Sequence, residues 1–285
     1  MKPPMRLVMR VLLMSLAAAL SPVAATGQAA AVPASTFAPT GTMRVAFLGD
    51  NPALGRVDSK TGAVVGPVAD IVREIARRLR VPYELIPASG GRDVMDRLKA
   101  GTADIGFLAY NAGRAMEVDF STPWLLMPNT YIVAAGSALK TVSDADRAGV
   151  HISAVKNDTQ DVYLSANLKN TRVDAVAEIP PSDELESLLV TGKLDAFAAN
   201  RQRLVEIAAG HPALRVIANN FSVAGQAIAV PKGHVTRLDG INQMLEEILA
   251  TGFVKASIAR AGLAGVDAPA ATDTDISGGK GPRPR

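Results

Sequence analysis

Leu98-Lys99-Ala100-Gly101-Thr102-Ala103-Asp104-Ile105-Gly106-Phe107 returns in outline as Leu189-Val190-Thr191-Gly192-Lys193-Leu194-Asp195-Ala196-Phe197. Each copy reads as a helix end, a glycine, two residues, an aspartate and an apolar strand. Glycine just past a last helical residue takes the left-handed conformation that stops a helix. One unit used twice in one chain predicts two similar lobes.

Upstream of the first copy, Met43 to Leu48 is a short apolar run with strand character. Asp70 to Leu79 carries Ile71, Val72, Ile75, Ala76 and Leu79 at helical spacing, with Arg73, Glu74, Arg77 and Arg78 on the opposite face. Val81-Pro82 stops that helix, and Tyr83 to Ile86 reads as the next strand. Asp93 to Ala100 is a second helix, and Ile105 to Ala109 a buried strand. Strands alternating with helices predict an α/β protein whose mostly parallel sheet is covered on both faces.

The second copy sits in a matching series. Strands are expected at Val150–Val155, Val173–Val176, Leu194–Ala199 and Leu214–Ile217, and helices at Thr159–Leu168, at Asn200–Ala209 and from a Ser182 cap to Val190. Apolar runs at Thr130–Ala135 and Gln226–Val230 lie where the chain would cross between lobes. Helices at Arg237–Leu249 and Val254–Ala261 would pack back on the first lobe. The expected division is residues 42–133 with 225–265 for lobe 1 and 134–224 for lobe 2.

The ends are of another kind. Lys2, Arg6 and Arg10 precede the apolar run Val11–Leu20, and Val23-Ala24-Ala25 supplies small residues, so residues 1–25 read as a cleaved signal peptide. That run is about half of what spans a bilayer. Residues 26–41 are expected to be a flexible segment, and 266–285, rich in Gly, Pro, Asp, Ser and Thr, a disordered tail. The chain has no cysteine, which excludes disulfides and cysteine metal sites. Of 30 Lys plus Arg, three lie in the leader; the remaining 27 equal the 27 Asp plus Glu, so the mature chain is formally neutral. No basic stripe with interleaved aromatics points to nucleic acid. An exported periplasmic protein of about 225 ordered residues is enough for two modest lobes.

Two α/β lobes leave a cleft at the carboxyl ends of their strands, where ligands of open sheets bind. Arg114 lies just past such an end, followed by Val118-Asp119-Phe120-Ser121-Thr122-Pro123-Trp124. A guanidinium offers parallel donors that match both oxygens of a carboxylate. Opposite, Asn157-Asp158-Thr159 opens a helix directly after a strand, where free N–H groups and the helix dipole favour an anion. Phe107 and Trp124 read as core residues. His151, His211 and His234 lack metal-ligand spacing, and neither a Gly-x-Ser-x-Gly elbow nor a phosphate loop is present. Gly90-Gly91 fits a turn.

From Thr42 to Leu263 the chain resembles the family 3 extracellular solute-binding proteins. The resemblance rests on Gly66 and Asp70, Gly101-Thr102-Ala103-Asp104, Arg114 with Val118 to Pro123, Asn157-Asp158-Thr159, Gly192 to Ala196, and Ala227-Ile228-Ala229-Val230-Pro231-Lys232-Gly233. It implies the two-lobed type II periplasmic binding fold with two hinge strands, and a monomeric, non-enzymatic receptor without cofactor or metal. Such a receptor delivers an amino acid or similar small polar solute to the permease of an ABC importer. It also implies that Arg114 grips the ligand carboxylate and that Asp158 and Thr159 contribute from the other lobe. Family members that bind amino acids usually carry an aspartate at Asn200 for the ligand's ammonium group; Asp50, Asp158 and Asp161 are the acids that could replace it. The aromatic residue that often stacks on the ligand corresponds to Asn51. Ala109 and Tyr110 stand where hydroxyl side chains are common, Tyr110 and Asn111 are the expected replacement donors, and Gln226 is a further expected contact. The alternatives are a dehydratase on the same fold, resembling cyclohexadienyl dehydratases, with Glu178 or Asp161 as general acid, or a ligand-sensing module.

Overall fold

A computed structural model describes residues 32–49, 51 and 53–269. The expected signal peptide, Asp50 and residues 270–285 lie outside the described residues. The chain forms β1 (Met43–Leu48), β2 (Arg56–Val57), β3 (Val64–Val65), α1 (Pro67–Leu79), β4 (Tyr83–Ala88), α2 (Gly91–Lys99) and β5 (Ile105–Ala109). Next come α3 (Ala112–Ala115), β6 (Val118–Phe120), β7 (Leu125–Ala134), β8 (Ile152–Val155), α4 (Thr159–Asn167), β9 (Val173–Val176) and α5 (Ser182–Val190). The chain continues through β10 (Ala196–Asn200), α6 (Arg201–Gly210), β11 (Leu214–Val216), β12 (Ser222–Pro231), α7 (Val235–Ala250) and α8 (Phe253–Arg260).

The expected α/β architecture is present. Strands run in the order β4-β1-β5-β12-β7-β10-β8-β9, with β6 and β11 pairing at the sides. β4-β1-β5 and β10-β8-β9 are both parallel, and one mirrors the other. The two long strands between them are antiparallel and shared. β12 pairs with β7 over Ser222–Gln226 and with β5 over Gln226–Ala229, while β7 pairs with β10 from Asn129 to Ile132. Cores follow the same division: Met127 and Ile228 pack with β1, α1, α7 and α8, whereas Tyr131 and Val133 pack with β8, α4 and β10.

The repeated motif has a repeated job. Gly101 (φ +67°) and Gly192 (φ +71°) both turn left-handed at their helix ends. Asp104 then accepts the backbone N–H of Arg44 at 2.9 Å, and Asp195 accepts that of His151 at 2.8 Å. In each lobe the aspartate fastens the start of the neighbouring parallel strand. Arg44 adds a two-pronged side-chain pair to Asp104, at 3.0 and 2.8 Å. Phe107 and Trp124 are core residues as expected, fully buried with rings edge to face at 5.5 Å; such a pair adds about 0.5–1.5 kcal/mol beyond area burial.

Four local expectations change. α1 begins at Pro67 rather than Asp70, because proline at the first turn loses no helical bond and presets φ. Pro181, not Ser182, occupies the cap position of α5, and no side chain caps it. The stretch read as a flexible N-terminal segment is packed where it is described: Phe37 is 1% exposed, and the Thr36 carbonyl accepts from Arg237 Nε at 2.6 Å. Arg237 also donates to the Asp104 carbonyl at 2.8 Å, and its burial lowers its pKa. The start of the expected tail is likewise tied down, with Asp267 bridging Leu126 and Ala268 buried. Among the described residues no helix is long and apolar enough to cross a membrane.

Candidate functional site

A cavity of about 550 Å³ opens between the lobes. Leu48 at the end of β1, Asn51, Ser89 to Arg92 at the start of α2, and Asn111, Gly113 and Arg114 of the α3 turn line it from the first lobe. Val155 to Asp158 after β8, Ala177 to Ile179 after β9, and Asn200 with Arg203 at the β10–α6 junction line it from the second. Every one of these segments follows the carboxyl end of a parallel strand or opens the helix after it, where the topology places a ligand.

Arg114 is held on both its backbone and its side chain. Asn111 sits at the N-cap of α3, and its Oδ1 accepts the Arg114 N–H at 2.8 Å. A four-residue helix is too short to stand alone; this cap fixes it. Nη1 of Arg114 donates to the Ala109 carbonyl at 3.0 Å, and Nη2 donates to Asp158 Oδ1 across the cleft. The residue is 8% exposed. The guanidinium lies against Gly91, where a Cβ would come within 2.5 Å of Nη2. Glycine at the start of α2 therefore makes room for the arginine, a role that a reading of Gly90-Gly91 as a plain turn does not contain.

The opposite wall is a tight turn. Asn157 is left-handed (φ 61°), a conformation that asparagine tolerates better than most residues, and its N–H donates to Asp161 Oδ2 at 2.7 Å. Its carbonyl accepts from Asn111 Nδ2 at 3.1 Å, a second bond between the lobes. Asn200 lines the cavity while its Oδ1 caps α6 through the Arg203 N–H at 3.0 Å. Asn51 lines it too, 7% exposed, with Oδ1 accepting from the Ala53 N–H at 3.2 Å.

Arg114, Asp158, Asn111, Asn51 and Asn200 thus meet at one cavity. Thr159, Tyr110 and Gln226 do not border it. Thr159 is the first residue of α4 behind Asp158, Tyr110 packs edge to face on Phe120 at 5.4 Å, and Gln226 is buried in β12. Asp161 serves its own helix, accepting from Asn157 N and Ser165 Oγ, whereas Glu178 lines the cavity. Residues not anticipated are Arg92, Glu117, Lys156 and Arg203. With them the described lining carries four cations (Arg92, Arg114, Lys156, Arg203) against three anions (Glu117, Asp158, Glu178). No signal along the chain marks these, because each lies on a loop or helix start that only the packing of one lobe on the other brings inward. Among the described residues no group of three or more His, Cys, Asp or Glu could hold a metal. His211 is engaged at the end of α6, with Nε2 3.0 Å from Asp183, a hydrogen bond that raises its pKa.

The fold has many solved likenesses. An amino acid ABC transporter substrate-binding protein, AbpA of Streptococcus pneumoniae Canada MDR_19A, bound to L-arginine, is 22% identical with a TM-score of 0.66, over 80% of this chain and 97% of that one. A histidine kinase sensor domain with similarity to periplasmic binding proteins is 20% identical with a TM-score of 0.67, over 80% and 98%. The ancestral amino acid-binding protein AncCDT-1, a precursor of cyclohexadienyl dehydratase, is 20% identical with a TM-score of 0.64, over 80% and 97%. At these identities the likeness speaks for the fold. No curated protein matches in a sequence search. Residues 43–261, spanning both lobes and both shared strands, match one family as a whole, and the chain belongs to the bacterial extracellular solute-binding proteins, family 3.

Proposed function

We propose that the protein is a periplasmic receptor that takes a small polar solute bearing a carboxylate into the inter-lobe cavity, closes on it, and hands it to the membrane permease of an ABC importer. The observation that carries this reading is Arg114, a buried guanidinium lining the cavity and oriented by Ala109 and Asn111. A buried cation is costly unless an anion meets it; Asp158 meets Arg114 in this structure, and a solute carboxylate has the same chemistry. β7 and β12, where they pair over Leu125–Asn129 and Ser222–Gln226, are the natural pivot of closure. Mass spectrometry of small molecules carried through native purification tests the reading: a carboxylate-bearing solute is expected, and a bound sugar or an uncharged solute would contradict it.

Asn200 leaves an α-amino acid without the ion partner its ammonium group would have at an aspartate. Asn200→Asp keeps a good helix cap, since both residues accept from the same amide. We expect it to raise the affinity for at least one common α-amino acid about tenfold or more, the equivalent of one partly desolvated ion pair. Calorimetry against an amino-acid panel reads this directly; unchanged affinities would remove Asn200 from the ligand's reach.

Binding without chemistry is part of the proposal. Of the two acids suited to dehydration, Glu178 lines the cavity and Asp161 holds its own turn. Incubation with prephenate or arogenate is expected to return them unchanged, and product formation would overturn a binding-only role.

A further inference from the structure

Asp158 stands at the N-cap of α4, where an aspartate ordinarily accepts a hydrogen bond from an amide of its own helix. Its side chain makes no such bond. The carboxylate instead reaches across the cleft to Nη2 of Arg114. Beside it, Asn157 O receives Asn111 Nδ2 at 3.1 Å, so the neighbouring residues of one turn hold two neighbouring anchors of the other lobe. The turn is itself braced, since Asp161 fixes the Asn157 N–H at 2.7 Å.

Nη1 of Arg114 is already committed to the Ala109 carbonyl. Either paired grip on this guanidinium, through Nη1 and Nη2 or through Nε and Nη2, uses Nη2, the nitrogen that Asp158 already holds. We propose that Asp158 is a built-in competitor for the solute: it latches the two lobes through Arg114, and the solute's carboxylate must displace it to bind. This rests on the reading of Arg114 as the carboxylate anchor. Displacement leaves Asp158 tolerably solvated, because its side chain is 38% exposed, whereas Arg114 is almost wholly buried and needs an anion at all times. Neutral solutes are therefore refused, since a hydroxyl or amide cannot replace the charge that Asp158 withdraws. Asp158 sets both the selectivity for anions and the affinity with which they bind.

Asp158→Asn tests this without loss of volume, and no cap bond is lost because the side chain accepts from no amide of α4. The chain has no cysteine, so Lys255→Cys in the first lobe and Lys193→Cys in the second give a unique pair of spin-label sites. Solute-free protein with Asp158 intact is expected to show one narrow inter-label distance, and Asp158→Asn a longer and broader distribution. Identical distributions would overturn the latch. In parallel, thermal stabilisation by the common L-amino acids and short mono- and dicarboxylates identifies a binding probe, whose affinity is then measured by calorimetry. Removing the competitor is expected to tighten that probe about tenfold. Weaker binding by Asp158→Asn would mean that Asp158 contacts the solute rather than yielding to it, and would also overturn the proposal. Carboxylate binding lost in Arg114→Ala while Asp158→Asn matches wild type in both measurements defeats the latch and leaves the anchor standing. Carboxylate binding absent from the wild type defeats the anchor and the competition together.

Discussion

Phe37→Ala is expected to lower the free energy of unfolding by about 3–5 kcal/mol, the range for truncating a buried aromatic residue whose site collapses only in part. The ring is 1% exposed within the core of the first lobe, among residues of β1, α1, α7 and α8. It lies so close to α7 that a Cβ on Gly240 would come within 2.5 Å of it. The adjoining Thr36 carbonyl receives the buried Arg237 side chain, so loss of the ring also loosens the acceptor of a charged donor. Urea denaturation of the two proteins measures the difference. A loss below about 1 kcal/mol, the scale of an ordinary point mutation, would mean that residues 33–38 contribute no more than the flexible segment their composition suggests.

Arg114→Ala is expected to weaken solute binding by at least thirtyfold, the lower end of the about 2–5 kcal/mol lost when one partner of a buried, hydrogen-bonded charge pair is removed. Two effects add. The solute loses a charge-assisted grip, and its carboxylate must be desolvated beside the Ala109 carbonyl with no cation to meet it. The fold should survive, because the guanidinium faces the cavity and the backbone cap from Asn111 to residue 114 does not need the side chain. Calorimetry with the co-purifying solute reads the change, and circular dichroism checks the fold. An affinity within about twofold of wild type would be too small for a charged hydrogen bond.

Much of the fold is legible because its elements are bounded by residues with one local meaning. β5 runs Ile105–Ala109, as its five apolar or small residues between Asp104 and Tyr110 suggest, and β9 keeps its expected limits. β7 and β12 are longer than their apolar runs, since pairing with each other extends them through Pro128 and Gly225, positions that local propensity would leave out. The hairpin β2–β3, the short α3 and β6 carry too few residues for any period to show. At the site, Arg114 and Asp158 are visible because one follows a strand end and the other opens a helix, whereas Asn51, Asn111 and Asn200 are visible through the family resemblance. Tyr110 and Gln226 share that neighbourhood, but one packs on Phe120 and the other is buried in the sheet. Arg92, Glu117, Lys156 and Arg203 enter only through the packing of the lobes, and so does the contact of Arg114 with Asp158.

A crystal structure with the solute that accompanies the protein through native purification tests the central claim most directly. The account predicts that solute between the lobes, with a carboxylate oxygen at hydrogen-bonding distance, about 2.7–2.9 Å, from an Nη atom of Arg114. A solute bound outside this cavity, or held there with its carboxylate turned away from Arg114, would contradict it.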